Sequence, residues 1–165
     1  MMSPSAPPSS ALRAAASGDR VLRTERDFNA SRERVWRAFT DPEQVVQWWG
    51  RGNQLAIERM ELERGGHWRF VETAPDGVHG FEGRYREVTP PQRIVLTFDW
   101  DGMPGYPIIV TTTLEELGNE RTRVITESLF ITGADRDQAM HAGMTEGMSQ
   151  SYAALEELLK KTGRP

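Results

Sequence analysis

The sequence predicts an α+β domain: a curved antiparallel β-sheet wrapped around a long C-terminal α-helix, with two short helices between the first and second strands. Three observations predict it. Apolar residues recur at every second position through most of residues 54–131, and turn residues separate the runs. Strands joined by such tight turns pair antiparallel. The longest helical period in the chain then follows, over residues 135–161, and no other element is long enough to fill the concave side of a twisted sheet.

Each element has its own signal. Residues 20–29 alternate, with Leu22, Thr24, Arg26 and Phe28 on one side, but the stretch holds few apolar residues and is expected at a sheet edge. Ser31 is placed to cap a helix in which Val35, Trp36 and Phe39 share a face. Pro42 ends it, because the residue before a proline avoids helical geometry. Asp41 then caps a second helix with Pro42 at its first position, and Gly50 closes it after Trp48 and Trp49. Gly65-Gly66, Pro75-Asp76-Gly77, Pro90-Pro91, residues 101–105 and Gly118-Asn119 divide the remainder into six strands.

On a wheel centred on Met144, the terminal helix gathers Met140, His141, Gly147, Met148, Ser151, Tyr152, Leu155, Leu158 and Leu159 on one face. The C-terminal half of that face is leucine, suited to sealing against a sheet. Its N-terminal half is methionine, glycine, serine and histidine, which pack adaptably or leave room.

At 165 residues the chain fits one domain. A net charge of −4 gives no electrostatic reason to expect nucleic acid or an anionic membrane as partner. No cysteine is present, which excludes disulfides and thiolate metal sites and is compatible with the cytoplasmic location expected here. No apolar run approaches the roughly 20 residues of a membrane-spanning helix. Residues 1–19, rich in Pro, Ser and Ala, are expected to be a disordered leader, and the domain to occupy 20–162.

The order of elements resembles the START-like (SRPBCC) superfamily and its helix-grip fold. Ala30-Ser31-Arg32-Glu33-Arg34-Val35-Trp36, Thr40-Asp41-Pro42 and Trp48-Trp49-Gly50 are similar to the family named for the activator of the ninety-kilodalton heat-shock protein ATPase. So are Gly65-Gly66-His67-Trp68-Arg69-Phe70, Glu82-Gly83, Pro90-Pro91-Gln92-Arg93-Ile94, and Gly147-Met148 ahead of Tyr152, Leu155 and Leu158. The family commonly carries Trp where this chain has Met148. The resemblance implies binding of lipids, polyketides or other small apolar molecules, or a chaperone partner.

The residues themselves offer little catalytic chemistry. Phosphate-loop, nucleophile-elbow and zinc-protease motifs are absent, and His67, His79 and His141 share no metal-ligand spacing. Neither a cofactor nor a metal is expected. A concave sheet lined by Trp48, Trp68, Phe70, Phe81, Tyr85 and Phe98 serves equally as plain core or as the wall of an apolar pocket. Thr112, Thr126 and Ser128 interrupt apolar stripes and need partners if buried. Opposite them lie His141, Met144, Gly147, Met148 and Ser151. Gly147 costs about 1 kcal/mol inside a helix, so close approach of a strand or of a ligand is expected there.

These fourteen residues form the expected cavity, with Trp48 and Trp49 at its entrance. The reading is non-catalytic binding of a small, mostly apolar ligand. The alternatives are a module that stimulates a chaperone ATPase, and a cyclase or aromatase resting on His141, His67, His79, Tyr85 or Tyr106. Monomer and homodimer are both left open.

Overall fold

Two capping residues steer the chain between its first strands. Ser31 accepts a hydrogen bond from the Arg34 amide at 3.3 Å, and Asp41 accepts one from the Glu43 amide at 3.0 Å, with Pro42 at the first helical position. The computed structural model describes residues 11–163. In order they form β1 (Arg13–Ser17), β2 (Val21–Phe28), α1 (Arg32–Thr40), α2 (Pro42–Trp48), β3 (Gln54–Met60) and β4 (His67–Ala74). Then come β5 (Gly77–Thr89), β6 (Arg93–Trp100), β7 (Ile108–Gly118), β8 (Arg121–Leu129), α3 (Gly133–His141) and α4 (Met144–Thr162).

All eight strands belong to one antiparallel sheet in the order β1-β2-β8-β7-β6-β5-β4-β3. Six of them follow one another by short turns, while α1 and α2 carry the chain from β2 to the far edge at β3. The sheet curves around α4, so the expected helix-grip architecture is present.

Three details differ from the sequence reading. Arg13–Ser17, inside the stretch expected to be a disordered leader, is a strand paired with β2 from Arg13 opposite Glu25 to Ser17 opposite Val21. Residues 1–10 of that stretch lie outside the described residues. Its three alanines carry no readable β signal, and pairing to a formed strand overrides weak propensity. In consequence β2 is not an edge, because it lies between β1 and β8. The helical pattern over 135–161 is also not one helix. It breaks at Ala142–Gly143, where Gly143 takes φ 98°, a left-handed conformation that glycine adopts without a Cβ clash.

The leucine end of α4 behaves as its pattern requires. Leu155, Leu158 and Leu159 are buried with Phe28, Ala30 and Val124 from the β2–β8 side and with Val35 and Ala38 from α1. Arg26 ties helix to sheet: its Nη1 donates to the Tyr152 carbonyl at 3.1 Å, Nη2 donates to Glu156 at 3.3 Å, and the guanidinium lies 4.5 Å from the Phe28 ring centroid.

Candidate functional site

Strand register fixes what shares the inner face, since directly paired residues point the same way. Two rows run across the β1–β6 side. One is Ala14, Thr24, Thr126, Thr112 and Ile94; the other is Ala16, Leu22, Ser128, Val110, Leu96 and Tyr85. Beyond them lies the aromatic side, with Ile57, Phe70, Phe81 and Trp100 in one row, and Met60, Trp68 and Gly83 in the next. Alternation along each strand carried both rows, so Thr112, Thr126, Ser128, Phe81 and Tyr85 stand on one surface as expected.

Hydroxyl chemistry dominates the first region. Thr24, Thr126 and Ser128 are buried, at 1%, 4% and 1% exposure. Thr126 Oγ1 lies 3.2 Å from the Tyr152 hydroxyl, a bond that reaches from β8 to α4. Burial raises the Tyr152 pKa, with the Thr126 hydrogen bond acting the other way. Thr24 Oγ1 is enclosed and has no hydrogen-bond partner among the described residues. Thr24 is thus a candidate the sequence reading passed over. Its signal was present, because it alternates in phase with Leu22 and Phe28. At the end of the neighbouring row, Tyr85 is 4% exposed and burial pushes its phenol pKa up, which keeps it a neutral hydroxyl.

The second region is filled with rings. Trp49 sits within 5.1 Å of Phe70, 5.2 Å of Phe81, and 6.3 Å of both Trp68 and Phe98, centroid to centroid. These are edge-to-face and tilted arrangements of the kind aromatic pairs favour. Trp48 and Trp49, expected together at an entrance, part company. Trp48 is 3% exposed, donates its indole N–H to the Ala38 carbonyl at 2.8 Å, and packs against Phe39 and Tyr152. It belongs to the core and lines no entrance. Ser151, expected to orient a ligand, donates to the Trp49 carbonyl at 2.9 Å.

Over the sheet, Met140 and Met144 pack, with Phe98 and Val110, against the buried cluster of Leu22, Ile108 and Phe130. Met148 is half-buried on α4. A Cβ at Gly147 would meet the Arg51 Cδ at 3.5 Å and nothing else within 4 Å, so the expected close approach of a strand is absent. His141 ends α3, exposed, beside an open crevice of about 430 Å³ that Ala16, Asp137 and Met140 also line. A smaller crevice of about 50 Å³ lies by Phe28, Asn29, Glu156, Leu159 and Lys160.

The other histidines are dispersed: His67 Nδ1 lies 2.9 Å from Arg59 and His79 Nε2 lies 2.9 Å from Asp76. Among the described residues no group of three His, Asp or Glu side chains is placed to hold a metal ion. No helix among them is long and apolar enough to cross a membrane.

A curved antiparallel sheet, closed by a C-terminal helix over an inner face that is part hydroxyl and part aromatic, defines a START-like protein. Within that class the chain belongs to the family described as activator of Hsp90 ATPase homolog 1-like protein, whose family model matches residues 29–160. Solved structures agree on the fold. A Rhodobacter sphaeroides protein is 26% identical, with a TM-score of 0.81 over 91% of this chain and 98% of its own. A Chromobacterium violaceum protein is 29% identical, with a TM-score of 0.70 over 84% and 96%. An Arthrobacter aurescens protein, at 22% identity, reaches 0.83 over 92% and 93% and shares the fold. No curated protein matches the sequence.

Proposed function

We propose that the protein reversibly binds a small, mostly apolar molecule carrying at least one hydrogen-bonding group, held between the inner face of the sheet and the α3–α4 arm. The observation that carries this reading is Thr24 Oγ1, enclosed on the inner face with no hydrogen-bond partner among the described residues. A buried hydroxyl without a partner costs about 1–3 kcal/mol, and a ligand oxygen or nitrogen removes that cost. Burial of apolar ligand surface supplies the rest, at about 25 cal/mol per Å² before association costs.

Access runs through the crevice between β1 and α3. Met140 lines it and also packs against the cluster that contains Leu22, the cross-strand neighbour of Ser128. Methionine is unbranched and polarisable, so Met140 and Met144 form the wall that adjusts while the sheet stays fixed.

Native mass spectrometry of the purified chain, followed by organic extraction, tests the proposal. The expected result is a co-purified apolar molecule that rebinds the stripped protein one to one. Protein that leaves the column bare, and takes up no extracted cellular lipid or aromatic fraction, overturns it. A second reading rests on the family's description, which names an activator of an ATPase. On that reading an outer surface acts, and the purified chain raises the ATPase rate of its own organism's chaperone.

A further inference from the structure

We infer that the aromatic cage of Trp68, Phe70, Phe81 and Phe98 is a binding site for a flat ring about the size of indole, and that Trp49 is its resident, displaced when ligand arrives. The inference rests on the reading above and assigns the ring-binding end of that site.

Trp49 already shows what the cage accepts. Its ring has aromatic neighbours from three different strands, β4, β5 and β6, at 5.1 to 6.3 Å. Aromatic quadrupoles give such edge-to-face sets a preference for flat rings over branched aliphatic groups. Trp49 is also held less firmly than the indoles beside it. Trp48 donates its N–H to Ala38 and Trp68 donates its own to the Thr97 carbonyl at 3.0 Å, whereas the Trp49 indole N–H has no partner among the described residues. Both of those indoles are buried, and Trp49 is only half-buried.

The chain on its C-terminal side is built as a latch. Arg51, at φ 59°, is a non-glycine residue in left-handed geometry, and Gly52 follows at φ 87°. Arg51 grips Glu72 with two bonds of 3.0 Å, and Asn53 adds a third at 2.8 Å. Glu72 is 2% exposed and lies two residues beyond Phe70 on the same face of β4, at the rim of the cage. A bidentate guanidinium–carboxylate pair gives directional closure. It offsets the left-handed backbone at Arg51 and keeps the Trp49 side of the loop down. Ser151 pins the Trp49 carbonyl, so the side chain can leave while its backbone stays.

Fluorine NMR of the full chain labelled with 5-fluorotryptophan tests this, with 2-naphthol as the probe. The five tryptophans give five resonances, and Trp49→Phe assigns one of them. At saturation the Trp49 resonance is expected to move towards the solvent-exposed position while that of Trp48 stays. The apparent Kd is expected to fall about tenfold in Arg51→Ala, as a competing closed state is depopulated. Because Arg51→Ala leaves a buried carboxylate alone and can unfold the protein, Glu72→Gln, which keeps a hydrogen-bonding amide, serves as the second variant with the same expected direction.

Saturation with an unmoved Trp49 resonance overturns the inference. So does uptake by Trp49→Ala alone, with the wild type empty to the solubility limit, because Trp49 is then a fixed part of the core. If 2-naphthol binds no form while an extracted apolar molecule still binds, the inference fails and the carrier reading stands. If nothing apolar binds any form, both fail.

Discussion

The two regions of the inner face are closed by opposite means. On the β3–β6 side, Trp68, Phe70, Phe81 and Phe98 are covered by a ring from their own chain, Trp49. On the β1, β2, β8 and β7 side, α4 covers a surface in which Thr24, Thr126 and Ser128 take places that valine would fill. One region is filled by packed rings. The other keeps a polar atom that packing does not satisfy. A core selected only for stability has no use for that hydroxyl, so on the proposed reading a ligand meets a resident ring on one side and an unpartnered hydroxyl on the other.

Trp68→Ala gives the largest expected effect. Trp68 is 2% exposed, ringed by Trp49, Phe70 and Phe98, and bonded to Thr97, so its loss leaves a cavity and an unmet carbonyl. The expected cost is about 3–5 kcal/mol, read as a shift in the denaturant midpoint at constant slope. A loss under about 1 kcal/mol would mean that the aromatic region is a loose wall and not a core, and the comparison would collapse.

Two threonines that face each other across β2 and β8 sharpen the comparison further, because they should answer the same change with opposite signs. Thr126→Val strips the Tyr152 hydroxyl of its partner and is expected to destabilise by about 1–3 kcal/mol. Thr24→Val removes an enclosed hydroxyl with no partner among the described residues, and is expected to stabilise by about 1 kcal/mol while weakening ligand uptake. Chemical unfolding of both variants, with ligand titration of the second, checks this. A destabilised Thr24→Val with unchanged binding would return Thr24 to ordinary structure.

Much of this arrangement was legible before folding. Period-two alternation placed Phe81, Tyr85, Thr112, Thr126 and Ser128 on one surface, because the pleat leaves no other choice. Ser31 and Asp41 announced their helices through side chains that accept amide hydrogen bonds. What escaped depended on tertiary neighbours. Trp48 and Trp49 are adjacent near the end of a helix, about 100° apart around its axis, so one faces α4 and the other the aromatic strands. No local pattern decides which. The break at Gly143 was hidden because its flanks, Met140 and Met144, keep helical spacing across it. Strand β1 was hidden because alanine and serine give an edge little to announce itself with.

The outer face carries the smallest expected effect, and there too the regions differ. Behind the hydroxyl region Asp27, 11% exposed at its side chain, accepts from Arg123 Nε at 2.8 Å and is also met by Arg13; the Arg123 hydrogen bond holds its carboxyl below the usual range. Behind the aromatic region Asp101, 48% exposed, is held low in the same way by Arg69 at 2.7 Å. A carboxyl whose folded pKa is depressed adds stability above its unfolded value, near 3.9, and that stability is lost as pH falls through the folded value. Solvent screens the exposed pair. The acid limb of the stability curve should therefore flatten in Asp27→Asn and change little in Asp101→Asn, as read by urea unfolding between about pH 5 and pH 2. Equal flattening in the two would mean that burial on the outer face does not distinguish the regions, and that their contrast is confined to the inner surface.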